Sequence, residues 1–167
     1  RGKTKNPEEP RLRKAVAAMF KNMGRQTKHP MTLYRALRDD KDHDWANTLT
    51  PGTTFEEDGI VSTTAYKRFA QGWLGLDGTS DGEEHPKTVE VDDVVLEIHV
   101  PKGSTIVGGV QQFIETMLPP GTKFKITGSR RVKTPNAANP LGRIRIKSPI
   151  VYTHVTAEAI LPPEYAG

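Results

Sequence analysis

The stretch that decides the fold covers residues 96–127 and reads LEIHVPKGSTIVGGVQQFIETMLPPGTKFKIT. Leu96, Ile98 and Val100 alternate with polar residues, which predicts a strand with one buried face. The Pro-Lys-Gly and Gly-Gly segments that follow predict a turn and a loop, and a second strand pair is expected to be broken at Pro119. Short strands divided by turns favour an α+β domain with more strand than helix.

Glu115 stands at the centre of this stretch, beside Ile114, Met117 and Leu118. A carboxylate among apolar neighbours is costly unless it is hydrogen-bonded or paired, which makes Glu115 a candidate for function. The alternative is that strand alternation turns Glu115 to solvent. The pattern alone does not choose between these two interpretations.

The composition is typical of one loop-rich globular domain, with 167 residues, 35% hydrophobic residues and 13 prolines. No segment has 18 apolar residues in succession, so no membrane-spanning helix is predicted. The absence of cysteine excludes disulfides, thiolate catalysis and Cys-ligated zinc. The five histidines lie at no metal-ligand spacing, so we predict no metal site and expect them to be solvated or core residues.

The basic residues are concentrated in residues 101–150, which contain nine Lys or Arg and one acidic residue, Glu115. A basic field suits a polyanionic ligand such as a nucleotide diphosphate or a nucleic acid. A solvated strand surface is the commoner explanation of such a charge run.

Residues 1–30 are predicted to form a polar tail and an amphipathic helix, because apolar residues from Leu12 to Met23 recur at helical spacing before Gly24. Residues 31–167 are expected to form the core of a single domain. Within it we predict a loop or a short helix around Trp45 at 39–58, loops at 72–93 and 130–141, and late strands at 143–147 and 151–161. The chain begins with Arg1, from which we expect a piece of a longer protein.

Residues 31–38 predict a strand in which Leu33, Arg35 and Leu37 share one face. An arginine on an apolar face must meet an anion, either a carboxylate or a bound phosphate. Arg38 is expected at the solvated end of this strand.

Residues 59–64 predict a short strand that ends in Ser62, Thr63 and Thr64, before a helix with apolar residues from Ala65 to Trp73. Hydroxyl residues at a strand-to-helix junction are typical N-caps, so the pattern favours helix capping. A functional hydroxyl is the alternative.

Three motifs, in this order within residues 31–127, resemble the ADP-ribosyltransferase exoenzyme family of the Arg-Ser-Glu class, which includes the clostridial binary-toxin and vegetative insecticidal toxin enzymes. Tyr34-Arg35-Ala36 is similar to the family's arginine strand. Gly59-Ile60-Val61-Ser62-Thr63-Thr64, with Phe69-Ala70 after it, is similar to the Ser-Thr-Ser strand and the helix that follows. Val100-Pro101-Lys102-Gly103 and then ETMLPPGTKF at 115–124 are similar to the catalytic glutamate strand.

The resemblance implies an α+β fold with two packed, mainly antiparallel sheets in a split β-sandwich, short flanking helices and a nucleotide in the cleft. It implies NAD as the substrate, with Arg35 on its phosphates, Ser62 orienting Glu115, and Glu115 on the 2′-hydroxyl of the nicotinamide ribose. The remaining residues that the resemblance places around NAD are Ala36, Thr63, Thr64, Phe69 and Trp73.

Two positions depart from the family's pattern. Ala36 replaces the usual glycine, and Phe113 stands where the family has Glu or Gln to select and activate the acceptor. Gln111 and Gln112, in the same loop, are candidates to take over that role.

The resemblance therefore implies a mono-ADP-ribosyltransferase with a macromolecular, mainly protein, acceptor. The alternatives are an NAD glycohydrolase on the same scaffold and a catalytically silent domain that binds nucleic acid. The latter would use the basic residues Lys123, Lys125, Arg130, Arg131, Lys133, Arg143, Arg145 and Lys147. By resemblance the chain is expected to be the catalytic part of a secreted, injected or phage-borne effector that acts in a target cell's cytoplasm, with further domains.

Overall fold

The computed structural model describes residues 9–74, 88–108, 115–134 and 149–167. Its helices are α1 (Glu9–Met23), α2 (Trp45–Thr48) and α3 (Lys67–Gly72), and a single 3-10 turn covers Pro163–Tyr165. Its strands are β1 (Arg25–Gln26), β2 (Met31–Leu37), β3 (Thr54–Glu56), β4 (Val61–Thr63), β5 (Val89–Val100), β6 (Thr105–Gly108), β7 (Thr116–Leu118), β8 (Lys123–Lys133) and β9 (Ile150–Ile160). Within the described ranges no helix has the length and apolarity needed to cross a membrane.

The strands form two sheets, in the orders β1-β6-β7-β4 and β2-β5-β9-β8-β3. Every pairing is antiparallel except that of β5 with β9. The predicted α+β class, with two mainly antiparallel sheets and short helices, is confirmed.

The main core lies between the two sheets. The four-stranded sheet contributes Val61 and Leu118, and the five-stranded sheet contributes apolar side chains from β2, β5, β8 and β9. The alternation predicted around Leu96, Ile98 and Val100 is confirmed, because each of these side chains is at most 1% exposed. A sheet with one apolar face buries that face most readily against a second sheet.

A smaller core lies on the outer face of the five-stranded sheet, beneath α3. Ala70 and the adjoining Leu74 pack there against Val95, Ile150 and Tyr152. This second cluster makes α3 part of the sheet's outer layer, and α3 is the helix that directly follows the hydroxyl strand.

Helix α1 confirms the predicted amphipathic helix, although its apolar stripe is only partly buried. Phe20 is 1% exposed and its ring lies 5.5 Å from that of Tyr165, whereas Leu12 and Met23 remain largely exposed. The helix stops at Gly24, whose N–H donates to Phe20 O at 3.0 Å. A Cβ at this position would lie 2.1 Å from that oxygen, so only glycine fits.

Several predicted loops contain strand. Residues 39–58 contain the short helix expected around Trp45, which is α2, and also β3, where Phe55 packs between Trp45 and Phe124 with ring separations of 5.4 and 5.9 Å. β5 begins at Val89 and β8 continues to Lys133, because β9 offers both of them partners to their ends. Pairing with a distant strand overrode the local turn residues. The strand predicted at 143–147 lies outside the described residues, and the one predicted at 151–161 is β9.

The turn between β7 and β8 carries the chain from one sheet to the other. Gly121 has a φ of +83°, a conformation that favours glycine, and its N–H donates to Glu57 O at 2.8 Å. The Thr122 hydroxyl donates to Pro119 O at 2.7 Å. The Pro-Pro-Gly segment therefore fixes β7, and the glutamate just before it, relative to both sheets.

Candidate active site

The two sheets are joined by an isolated antiparallel bridge between Tyr34 and Thr64. Tyr34 N–H donates to Thr64 O at 2.7 Å, and Thr64 N–H donates to Tyr34 O at 2.9 Å. Tyr34 lies on β2 of the larger sheet, and Thr64 directly follows β4 of the smaller one. The bridge therefore brings Arg35, the next residue on β2, close to the hydroxyl residues of β4.

Ser62 is hydrogen-bonded to Glu115 across the smaller sheet, its Oγ donating to Glu115 Oε1 at 3.0 Å. The register pairs Ser62 with Met117, two residues after Glu115, so Ser62 and Glu115 are diagonal neighbours on one face. Glu115 is half-buried and immediately precedes β7. Its carboxylate is therefore neither buried without a partner nor turned away to solvent.

The prediction that the hydroxyl residues cap the following helix is wrong. Helix α3 begins at Lys67, after Tyr66, and no side chain caps its first turn. Three residues separate β4 from α3, so the hydroxyls bond within the sheet and the connecting turn. Thr63 Oγ1 donates to Thr116 O at 2.6 Å, and Thr64 Oγ1 accepts from Tyr66 N–H at 3.1 Å.

Thr63 and Ser62 should differ sharply in their effect on stability. Thr63→Val removes the donor to Thr116 O at a site that is 5% exposed, so we expect a loss of about 1–2 kcal/mol in the free energy of unfolding. Ser62→Ala alters an exposed side chain and should cost about 0.5 kcal/mol or less. Urea denaturation of both variants tests this difference, and equal losses would contradict the hydrogen-bond assignment.

The predicted site residues within the described ranges line one cavity of about 450 Å³. Those residues are Arg35, Ala36, Ser62, Thr63, Thr64, Phe69, Trp73 and Glu115. The structure thus brings together residues from β2, β4, α3 and the start of β7. The three acceptor-loop residues, Gln111, Gln112 and Phe113, lie outside the described residues.

Arg38 and Tyr34 also line the cavity, and the sequence reasoning gave neither of them a role in the site. Arg38 was expected at a solvated strand end. It is exposed, but the hydrogen bond from Trp45 Nε1 to Arg38 O, at 3.0 Å, keeps the backbone beside the cavity. Burial raises the pKa of Tyr34, and Glu97 and Tyr152 raise it further. By strand alternation Arg35 and Arg38 lie on opposite faces of β2, so the sequence pattern did not indicate that both line one cavity.

A polar network lies beneath α3, on the outer face of the five-stranded sheet. Glu97 Oε2 lies 2.7 Å from His99 Nε2, and Glu97 Oε1 lies 3.1 Å from His154 Nε2. His154 Nδ1 lies 3.5 Å from the Tyr152 hydroxyl, which accepts from Gln71 Nε2 at 2.9 Å. This cluster was not predicted from the sequence. The signal that could have indicated it is strand alternation, which places Glu97 with His99, and Tyr152 with His154, on one face of their strands.

The pKa values in this network follow from burial and from Glu97. Burial lowers the pKa of His154, whereas the hydrogen bond to Glu97 raises the pKa of His99. Burial opposes ionisation of Glu97, but hydrogen bonds from His99 and His154 outweigh it and lower its pKa. At neutral pH Glu97 is therefore an anion that accepts from both imidazoles. Within the described residues no group of three or more His, Asp or Glu side chains is arranged to hold a metal ion.

No family model and no curated protein sequence matches the chain. Several solved structures match it. The Vis toxin, an ADP-ribosyltransferase from Vibrio splendidus, matches with a TM-score of 0.58 and 16% identity over 95% of this chain and 59% of Vis. The ADP-ribosylating toxin BECa of C. perfringens, solved with NADH, matches with a TM-score of 0.55 and 15% identity over 96% of this chain and 37% of BECa.

A third match is Plx2a, an ADP-ribosyltransferase toxin from Paenibacillus larvae, with a TM-score of 0.55 and 17% identity over 92% of this chain and 73% of Plx2a. The chain thus spans about 59% of the length of Vis and 37% of that of BECa. These structural neighbours are ADP-ribosyltransferase toxins, as the three sequence motifs predicted. The fold is the one that these toxins share.

Proposed function

We propose that this domain binds NAD in the cavity, cleaves the bond between nicotinamide and ribose, and transfers ADP-ribose to a macromolecular acceptor, a protein in the first instance. One observation carries the proposal: the Ser62 hydroxyl donates to the Glu115 carboxylate at 3.0 Å in the cavity that Arg35 also lines. This pairs an oriented anion with a cation in a space large enough for part of a dinucleotide.

Glu115 is suited to stabilise the charge that this reaction develops. As the bond to nicotinamide breaks, its electron pair leaves with the neutral nicotinamide and positive charge grows on the ribose. A carboxylate already fixed beside the ribose stabilises that charge without reorganising, and the hydrogen bond from Ser62 holds it in place. The acceptor's nucleophilic atom then forms the new bond to the ribose carbon and releases its proton to solvent.

Arg35 is suited to hold the diphosphate. It is half-buried on the face of β2 that also carries Leu33 and Leu37, where a guanidinium gains from an anionic partner. A guanidinium binds phosphate oxygens through two parallel hydrogen bonds, which fixes orientation as well as charge. Phe69 and Trp73, on and just after α3, line the same cavity and supply aromatic surface for the nicotinamide.

The structural neighbours support both substrates. BECa has been solved with NADH, and Vis has been solved in complex with agmatine at a TM-score of 0.59 to this chain. By extension the cavity would take the dinucleotide, and the acceptor would approach from the side of Glu115. Agmatine carries a guanidinium group, so an arginine side chain is the acceptor to test first.

NAD hydrolysis is a second candidate activity, and Phe113 favours it. Residue 113 precedes Glu115 by two positions, and a phenylalanine there provides no carboxylate to accept a proton from an acceptor group. Water can reach the ribose without such a group, so we expect appreciable NAD hydrolysis when no acceptor is present.

The nucleic-acid alternative has less support in the described residues. Lys123 is paired in register with Glu56, and Lys125 with Glu158, so opposite charges face each other across neighbouring strands. The Arg131 guanidinium donates to Val91 O at 2.9 Å and is held against its own sheet. The two lysines therefore offer less uncompensated charge than the sequence run indicated, and the Arg131 guanidinium already has a hydrogen-bond partner within the fold.

We also propose that residues 31–167 form the catalytic core, against which α1 packs through Phe20, and that the domain acts inside a target cell as part of a larger effector. The support is that its structural neighbours are toxins. A phage-borne effector fits this proposal as well as a secreted one.

Radiolabelled NAD tests the activity and separates the candidates. The domain is incubated with NAD labelled in the adenylate phosphate and a cell lysate, with Glu115→Gln in parallel. We expect protease-sensitive label on macromolecules from the wild type and none from the variant. Nuclease-sensitive label would show that the acceptor is nucleic acid, free ADP-ribose alone would show a glycohydrolase, and recovery of all the label in intact NAD would contradict NAD cleavage.

A further inference from the structure

Helix α3 carries one wall of the cavity but has few anchors of its own. It is six residues long, begins without a side-chain cap, and presents Phe69 and Ala70 to the cavity. Ala70 and Leu74 hold it to the sheet through apolar contacts, which restrain its distance from the sheet better than its rotation or sliding. A hydrogen bond, which has a preferred direction, is needed to prevent α3 from rotating or sliding on the sheet.

Gln71 supplies that contact. Its Nε2 donates to the Tyr152 hydroxyl at 2.9 Å, across the interface between α3 and β9. Tyr152 is completely buried, so its hydroxyl has a fixed position. Gln71 lies between the cavity-lining residues Ala70 and Trp73, and any change in its position is passed directly to them.

The residues behind Tyr152 fix the direction of its hydroxyl. Ionised Glu97 accepts from His154 Nε2, which leaves His154 Nδ1 without a proton and facing the Tyr152 hydroxyl at 3.5 Å. The Tyr152 O–H therefore points to His154, and its lone pairs remain for Gln71. The anion at the end of the chain therefore sets which atom of His154 donates and which accepts, and through His154 it sets the direction of the Tyr152 O–H.

We propose that Tyr152, backed by His154 and Glu97, is a positioning residue for the NAD cavity. It holds Gln71, and through Gln71 it holds α3 with Phe69 and Trp73 at the separation from Arg35 that the nicotinamide half of NAD requires. This inference rests on the proposed function and extends it to residues that contact neither NAD nor Glu115.

The position of α3 should affect binding more than chemistry. Ser62 and Glu115 belong to β4 and the start of β7, and their hydrogen bond does not involve α3. Displacing α3 weakens the contacts to the nicotinamide ring but leaves the carboxylate in place. KM for NAD should therefore rise while kcat is retained, whereas a loss of folded protein would lower the apparent kcat and leave KM unchanged.

Two variants remove the contact from either side. Tyr152→Phe keeps the buried ring and deletes the hydroxyl, and Gln71→Met keeps the side-chain length and deletes the donor. We expect each to raise KM for NAD by about 3- to 10-fold with kcat within about twofold, as the loss of one neutral hydrogen bond implies. The double variant should be no worse than the more affected single variant, because both changes break the same bond.

Glu97→Met and Glu158→Met form a matched pair, because each removes a carboxylate and keeps the length of the side chain. Both carboxylates contact His99, Glu97 at 2.7 Å and Glu158 at 3.4 Å, but only Glu97 is bonded to His154. Glu97→Met removes the acceptor of His154 Nε2 and should reproduce the rise in KM, and Glu158→Met should leave KM unchanged. A rise of equal size in both variants would overturn the proposed chain.

Fluorine NMR of the protein labelled with 5-fluorotryptophan reports on the position of α3 and does not require turnover of NAD. The chain has two tryptophans, Trp73 just after α3 and Trp45 on α2 beside Phe55. In Tyr152→Phe the Trp73 line should shift or broaden while the Trp45 line stays. If the wild type releases no nicotinamide, the proposed function fails. The Trp73 line still shows in that case whether Tyr152 holds α3 in position. An unmoved Trp73 line, or an unchanged KM in an active enzyme, would overturn the inference.

Discussion

Glu115→Gln should reduce nicotinamide release by about 10³-fold, equivalent to roughly 4 kcal/mol of transition-state stabilisation. The change replaces the negative charge with a neutral amide of nearly the same shape. The amide oxygen can still accept from Ser62 Oγ, so the geometry of the site is retained and only the charge is lost. Binding of NAD should change little, because positive charge develops on the ribose only as the bond breaks.

The measurement is a single-turnover assay of nicotinamide release, with unfolding followed in parallel. Glu158→Gln is the control, since it neutralises an exposed carboxylate at the far end of β9. We expect the free energy of unfolding of both variants to lie within about 0.5 kcal/mol of that of the wild type. Wild-type turnover in Glu115→Gln would remove Glu115 from the catalytic role.

Arg35→Met should weaken NAD binding by about 100-fold, because charge-assisted hydrogen bonds to the diphosphate are lost while the apolar stem is kept. The stem lies on the face of β2 between Leu33 and Leu37, where methionine fits without exposing the core. Stability should be retained or slightly raised, since the variant no longer holds a charge in a half-buried position.

Calorimetric titration with NAD, using the Glu115→Gln background to prevent turnover, measures this loss. Lys123→Met is the control for removal of one positive charge, because Lys123 lies on β8 opposite Glu56 and outside the cavity. The control should bind NAD as the parent does. If both variants lost affinity equally, the effect would be one of net charge and not of a diphosphate contact at Arg35.

Elements that support the cavity from outside could be predicted because their signals are local. Alternation at Leu96, Ile98 and Val100 and the Pro-Pro-Gly turn before β8 both follow from short-range stereochemistry, and the structure contains them. The roles of Arg35, Ser62 and Glu115 came from the motif resemblance. The structure brings these three residues to one cavity, and their chemical roles remain predictions for the experiments above.

What the sequence did not show depends on contacts between distant residues. The hydroxyls of β4 have two possible partners, the helix that follows and a strand distant in sequence, and only the pairing with β7 decides between them. The link from Glu97 to Tyr152 requires the parallel pairing of β5 with β9, which local patterns do not reveal. Arg38 faces the cavity only because the Tyr34 bridge joins the two sheets beside it.

The most direct test of the proposed site is a crystal structure of Glu115→Gln with NAD. This variant should bind NAD without cleaving it. We expect the diphosphate within hydrogen-bonding distance of Arg35, the 2′-hydroxyl of the nicotinamide ribose beside residue 115, and the nicotinamide ring against Phe69 or Trp73. NAD bound elsewhere on the domain, or in the cavity with its ribose directed away from residue 115, would contradict the assignment of this cavity as an NAD-cleaving site.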